Sequence, residues 1–198
     1  MVAVLGKTAR DVSLLMQREV GEASEAGGVS STMPHKRNPA GCAIVLAAAT
    51  RAPGLVASFL TGMVQEHERS LGGWHAEWPT ITDLVQTTGA TLAMSATVAE
   101  ELTVDPDRMR MNIDRTNGAV FSEQLMMLLA PALGRDRVHR LISDAMADGG
   151  NTGRSLTDIV STMPEATGVL TSDQLERLGK PGEYLGLAEV FRRQLLIL

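Results

Sequence analysis

The sequence predicts an all-α protein, a bundle of long helices followed by a smaller C-terminal helical domain. Aromatic residues make up only 3% of the 198 residues, whereas alanine, leucine, valine and methionine are plentiful. Strands favour β-branched and aromatic side chains, and helical bundles fill their cores with the residues abundant here. Two long runs, one opening at Pro39 and one at Ile81, are apolar or small on nearly every face. That is the pattern of helices buried on several sides at once. After Asp105-Pro106 the character changes, with shorter apolar stretches, more charge and glycines at 118, 134, 149, 150 and 153. The expected domains are therefore 1–103 and 104–198.

The first segment, "VLGKTARDVSLLMQREVGEASEA", sets Val12, Leu15, Met16 and Val20 at helical spacing with charges between them. The chain leaves this helix at Gly27 and Gly28, and a polar loop follows over 27–39. Asn38-Pro39 reads as a helix start: asparagine caps free amides, and proline suits a first turn that needs no N–H. The next helix is expected to run to Ser70, kinked at Pro53. "LGGWHAEWPT", with Gly72, Gly73 and Pro79, reads as a break before a second long helix. Asp105-Pro106 signals a further start, and the last segment is "LAEVFRRQLLIL". Nothing reads as a sheet.

Composition also narrows the partners. A net charge of −5 argues against a nucleic-acid surface. The short basic cluster Arg135–Arg140, which includes His139, reads as a solvated helix face. One cysteine, Cys42, excludes an internal disulfide and fits a reducing cytoplasm. Its apolar surroundings make it a buried structural thiol. The first residues lack a basic start followed by an apolar core, and Arg51 and Pro53 interrupt the most apolar region. Neither a signal peptide nor a membrane helix is read, and a soluble cytoplasmic protein is expected. His35, His67 and His75 lack a metal-ligand spacing with Asp or Cys partners, so no metal site is read. The methionines at 109, 111, 126 and 127 read as core filler.

The loop "SSTMPHKRNP" carries the chemistry. Ser30 and Ser31 offer hydroxyls, Lys36 a point charge and Asn38 an amide, and the following helix offers its first N–H groups. Together they suit carboxylates or developing negative charge. A polar surface loop with a helix cap is the plainer alternative. Gly27 and Gly28 would permit a lid to close.

"SSTMPHKRNP" closely resembles the signature loop of the fumarase/aspartase superfamily, G-S-S-x-M-P-x-K-x-N. It matches at Ser30, Ser31, Met33, Pro34, Lys36 and Asn38, with Val29 where the family has glycine. "EHERSLGGWHAEWPT" resembles the 3-carboxy-cis,cis-muconate cycloisomerase branch. Adenylosuccinate lyases open similarly but hold their nucleotide through Ser and Arg at positions that are Trp74 and Trp78 here. The resemblance runs through the whole chain. It also implies two further signature regions outside these 198 residues, so the chain alone is expected to be inactive.

The resemblance implies proton transfer next to a carboxylate through an aci-carboxylate intermediate, with no metal or cofactor. It assigns Ser30, Ser31 and Lys36 to catalysis. Met33, Asn38, Arg69 and Trp74 go to binding of a small polycarboxylate, 3-carboxy-cis,cis-muconate. Pairing of Arg69 with Glu66 or Glu68, and core packing of Trp74 and Trp78, are the structural alternatives. His67 is expected at the end of the long helix. The implied assembly is a homotetramer whose sites are shared between subunits. Two alternatives stay open: an adenylosuccinate- or argininosuccinate-type lyase, and a non-catalytic helical scaffold.

Overall fold

A computed structural model describes residues 1–28, 33 and 36–196. The described residues are overwhelmingly helical and divide into two compact units, Met1–Met109 and Arg110–Leu198.

The first unit is built on three helices, α1 (Val2–Leu15), α2 (Ala40–Thr61) and α3 (Gly73–Glu101), each packed on the other two. Small residues set the spacing. A Cβ on Gly6 would lie 2.4 Å from that of Ala49, and one on Gly41 would lie 2.6 Å from Val98 Cγ2. Ala9, Val12, Cys42 and Val45 form the buried cluster between the helices.

Several boundaries differ from the sequence reading. α1 ends at Leu15, because the chain must turn to pair β1 (Ala23–Ser24) with β2 (Thr103–Val104) in a short antiparallel ladder. That ladder corrects the expectation of no sheet. Ser24 and Thr103 share a hydroxyl hydrogen bond of 2.8 Å across it. Asp105 N–H donates to the Glu22 carbonyl at 2.9 Å, and Arg108 Nε donates to that of Val20 at 2.8 Å. The expected boundary at 103/104 thus falls on a strand bonded to the first unit. α4 (Pro106–Asp114) opens as expected at Asp105, whose Oδ1 accepts from Arg108 N–H at 2.9 Å.

α2 stops at Thr61 rather than Ser70 and runs through Pro53. By length and composition it could cross a membrane. Here it lies along α1 and α3 as a bundle helix. α3 begins at Gly73 and carries Trp74 and Pro79 inside it, so the expected break is helix. Gln65 organises the intervening turn: its Oε1 accepts from Ser70 N–H at 2.8 Å, and its Nε2 donates to the Gly62 carbonyl.

The second unit holds α5 (Ser122–Leu133), α6 (Arg135–Thr152), α7 (Leu156–Ser161), α8 (Pro164–Thr167), α9 (Ser172–Arg177) and α10 (Ala188–Leu196). Leu125, Leu129, Val138, Ala145, Leu156 and Val160 close a core between α5, α6 and α7. Met126 packs on its edge, whereas Met111 and Met127 are exposed, against the core-filler reading. His139 is exposed on α6.

Candidate functional site

The signature loop spans the gap between β1 and α2. Ser30, Ser31, Pro34 and His35 lie outside the described residues, so the assignments of Ser30 and Ser31 carry no geometry. The described members of 27–39 are Gly27, Gly28, Met33 and residues 36–39.

Gly28 and Asn38 fix the mouth of the loop. The Gly28 carbonyl accepts twice, from Asn38 N–H at 3.1 Å and from Asn38 Nδ2 at 2.9 Å. Gly28 has φ +60°, and a Cβ on it would fall 2.0 Å from the Asn38 carbonyl oxygen. Only glycine tolerates both that backbone and that approach. The amide of Asn38 is therefore engaged across the loop base. It does not cap α2, whose first amides turn instead to Glu25. Oε1 of Glu25 accepts from Gly41 N–H at 2.6 Å, and Oε2 accepts from Cys42 N–H at 3.1 Å. The sequence reading missed this cap because Glu25 lies far upstream and no local spacing marks it.

Beside the loop opens a cleft of about 560 Å³. Met16, Arg18, Gly21, Ala23 and Ser24 line one side of it, and Met33, Lys36 and Arg37 the other. Among the described residues, three cations and no carboxylate face this space, which favours an anionic ligand. Arg18 and Arg37 were not singled out from the sequence. The signal was present in their charge, but only the fold brings Arg18 across from Lys36. Lys36 is exposed, and its N–H donates to the Met33 carbonyl at 2.9 Å.

Arg69 and Trp74 form a separate group. The Arg69 guanidinium lies 5.2 Å from the Trp74 ring centroid, and Trp78 meets Trp74 edge-on at 4.8 Å. His75 meets Trp74 edge-on at 5.3 Å and lies tilted against Trp78 at 5.9 Å. Among the described residues, Arg69 forms no ion pair with Glu66 or Glu68. Trp78 is 55% exposed, so neither a closed core nor an enclosed pocket accounts for it within this chain. His67 lies in the turn after α2 at φ +55°, outside any helix.

Lys36 precedes α2 and Arg69 follows it. A helix of 22 residues is about 33 Å long. One chain therefore holds the loop residues together at one end of α2 and the Arg69–Trp74 group at the other. Among the described residues, no three His, Cys, Asp or Glu side chains gather into a group that could hold a metal ion.

By its similarity to known proteins, the chain belongs to the fumarase/aspartase superfamily. Residues 1–54 match the Lyase family model, and residues 118–194 match the model of the adenylosuccinate lyase C-terminus. Within the superfamily, the 3-carboxy-cis,cis-muconate cycloisomerase of Pseudomonas aeruginosa is 44% identical over 191 residues, 94% of this chain and 42% of that protein. The solved 3-carboxy-cis,cis-muconate lactonizing enzyme of Pseudomonas putida superposes with a TM-score of 0.81 at 44% identity, covering 98% of this chain and 43% of that one. The nitrosuccinate lyase of Streptomyces davaonensis is 41% identical over 95% of this chain and 40% of its own length. The chain thus spans about two fifths of the relatives it matches.

Proposed function

We propose that this chain is the C-terminal part of a 3-carboxy-cis,cis-muconate cycloisomerase. The observation that carries the reading is its 44% identity to such enzymes across nearly its whole length.

In that reaction a substrate carboxylate oxygen adds to the substrate's own carbon–carbon double bond. The new C–O bond closes a five-membered lactone, and the π pair moves onto the carbon next to another carboxylate. That aci-carboxylate carries an extra negative charge, which positioned cations stabilise. Ser30 then delivers a proton to the carbon, with Ser31 as the second candidate, and the pair becomes a C–H bond. A serine is too weak an acid to do this unaided, and Lys36 supplies the activating charge. The cationic cleft around Lys36 supports a polycarboxylate substrate. Met33 contributes an apolar wall. Arg69 and Trp74 would reach a site through another subunit, because α2 holds them far from Lys36 of their own chain. Asn38 acts on substrate only through whatever capacity its bond to Gly28 leaves.

The assembly is proposed to be a homotetramer. Exposed apolar residues on α2 (Val56, Phe59, Leu60) and on α3 (Trp78, Ile81, Val85, Leu92) support it, since such faces need partners. A soluble, cytoplasmic enzyme of aromatic-compound breakdown is the accompanying reading, and the isolated chain is expected to be inactive.

The test is lactone formation from 3-carboxy-cis,cis-muconate by the longer protein containing this chain. Lys36→Met should lower kcat by ~10²–10³-fold, the effect of removing one donor to a developing anion. Release of an unsaturated acid from a succinyl substrate, with no lactone formed, would establish the lyase reading, which the 41% identity to nitrosuccinate lyase favours.

A further inference from the structure

The sequence offers the first amides of α2 to a substrate carboxylate, yet in the fold they are already occupied. Glu25, just after β1, is only 3% exposed, and its two oxygens accept from Gly41 and Cys42 N–H. Those amides belong to the donors that a helix start leaves without an intrahelical partner, at the positive end of the helix dipole. Gly41 is where the elements converge: a Cβ there would lie 3.2 Å from Glu25 Oε2 and from Met94 Sδ. Only a residue without a side chain lets the carboxylate, α2 and α3 meet.

We propose that Glu25 is a positioning residue for the signature loop, a built-in anion that fixes the first turn of α2 and so sets where Lys36 and Asn38 stand. The inference rests on the reading of 27–39 as the catalytic loop. Glu25 and Gly41 flank that loop on either side, and the Gly28–Asn38 bonds lie just inside them. Two nested fixings therefore bracket the loop, Glu25 with Gly41 and Cys42 outside and Gly28 with Asn38 inside. With its start filled by Glu25, α2 is not a carboxylate subsite, and substrate charge falls to the side chains of Lys36, Arg37 and Arg18.

The experiment uses the 198-residue chain, isotopically labelled for amide NMR, as wild type, Glu25→Ala and Glu25→Gln. Each is melted in sodium formate and in sodium chloride of equal ionic strength. Glu25→Ala should move the Gly41 and Cys42 amide protons upfield and lower Tm by at least ~4 °C. Formate, a carboxylate small enough for the vacated space, should restore more than half of that loss while leaving the wild type unchanged. Glu25→Gln keeps one acceptor, so it should hold the Gly41 resonance and displace that of Cys42. The proposal is overturned if both amide protons stay put in the alanine variant, or if formate raises the wild type equally. Should the alanine variant not fold, the glutamine variant decides: displacement of the Cys42 amide supports the proposal, and no displacement overturns it. Turnover is not read, so the outcome is independent of whether lactonization is the reaction.

Discussion

Among the described residues of Arg110–Leu198, eleven buried hydrophobic side chains form one cluster, although the helices there are short and α6 is strongly charged. Among the described residues of Met1–Met109, longer helices bury a cluster of four, and α2 leaves Ile44, Val56, Phe59 and Leu60 exposed. Apolar content and self-sufficiency therefore run in opposite directions. α6 is amphipathic, so one stripe suffices for a core and the other face meets solvent. α2 is apolar all round, and α1 and α3 cover only part of it. Its remaining surface is the kind that association with further protein would bury.

Truncation is the strongest way to break this contrast. Leu129→Ala in the second unit should cost about 2–5 kcal/mol in urea unfolding, since Leu129 is fully buried. Leu60→Ala on α2 should change stability by within about 0.5 kcal/mol, because that side chain is 52% exposed. Equal losses at both positions would remove the distinction.

A pH series addresses the buried cluster of the first unit, to which Cys42 belongs. Burial, reinforced by the Glu25 carboxylate, pushes the Cys42 thiol from 9.0 up to about 12. Between those values the unfolded chain releases the proton while the folded chain keeps it. Stability should therefore fall as pH rises above 9, by up to about 1.4 kcal/mol per unit. Cys42→Ala should flatten that part of the profile, and an unchanged slope would show that Cys42 is not its source.

Smaller effects sharpen the comparison. Thr171 caps α9 reciprocally with Gln174, and Thr171→Ala should cost about 1 kcal/mol. Arg51 and Asp83 pair at 2.6 Å between α2 and α3 but are 60% and 43% exposed. A double-mutant cycle there should return no more than about 1 kcal/mol, shrinking with salt.

The fold class and the long helices were legible because composition and periodicity are summed over many residues. What escaped was non-local. Trp74 and Pro79 sit among breaker residues, yet the packing of Trp74 on Arg69 and Trp78 accompanies an unbroken α3. Asn38 carries every local mark of a cap, but Gly28 takes its amide and a glutamate beyond the loop takes its place. At the site, residue types pointed to anion chemistry around Lys36. The opposing Arg18 and the separation of Arg69 along α2 depend on how distant segments meet, which spacing does not record.

The environment of Cys42 has a practical consequence. The chain's single thiol is fully buried and holds its proton far above neutrality, and the thiolate is the form that alkylating reagents attack. A cysteine introduced on any exposed face would thus be the one site to take a maleimide dye or spin label, with the native residue left in place. Pairs of such labels on α2 and α10 would let distances report how the two units are arranged in solution.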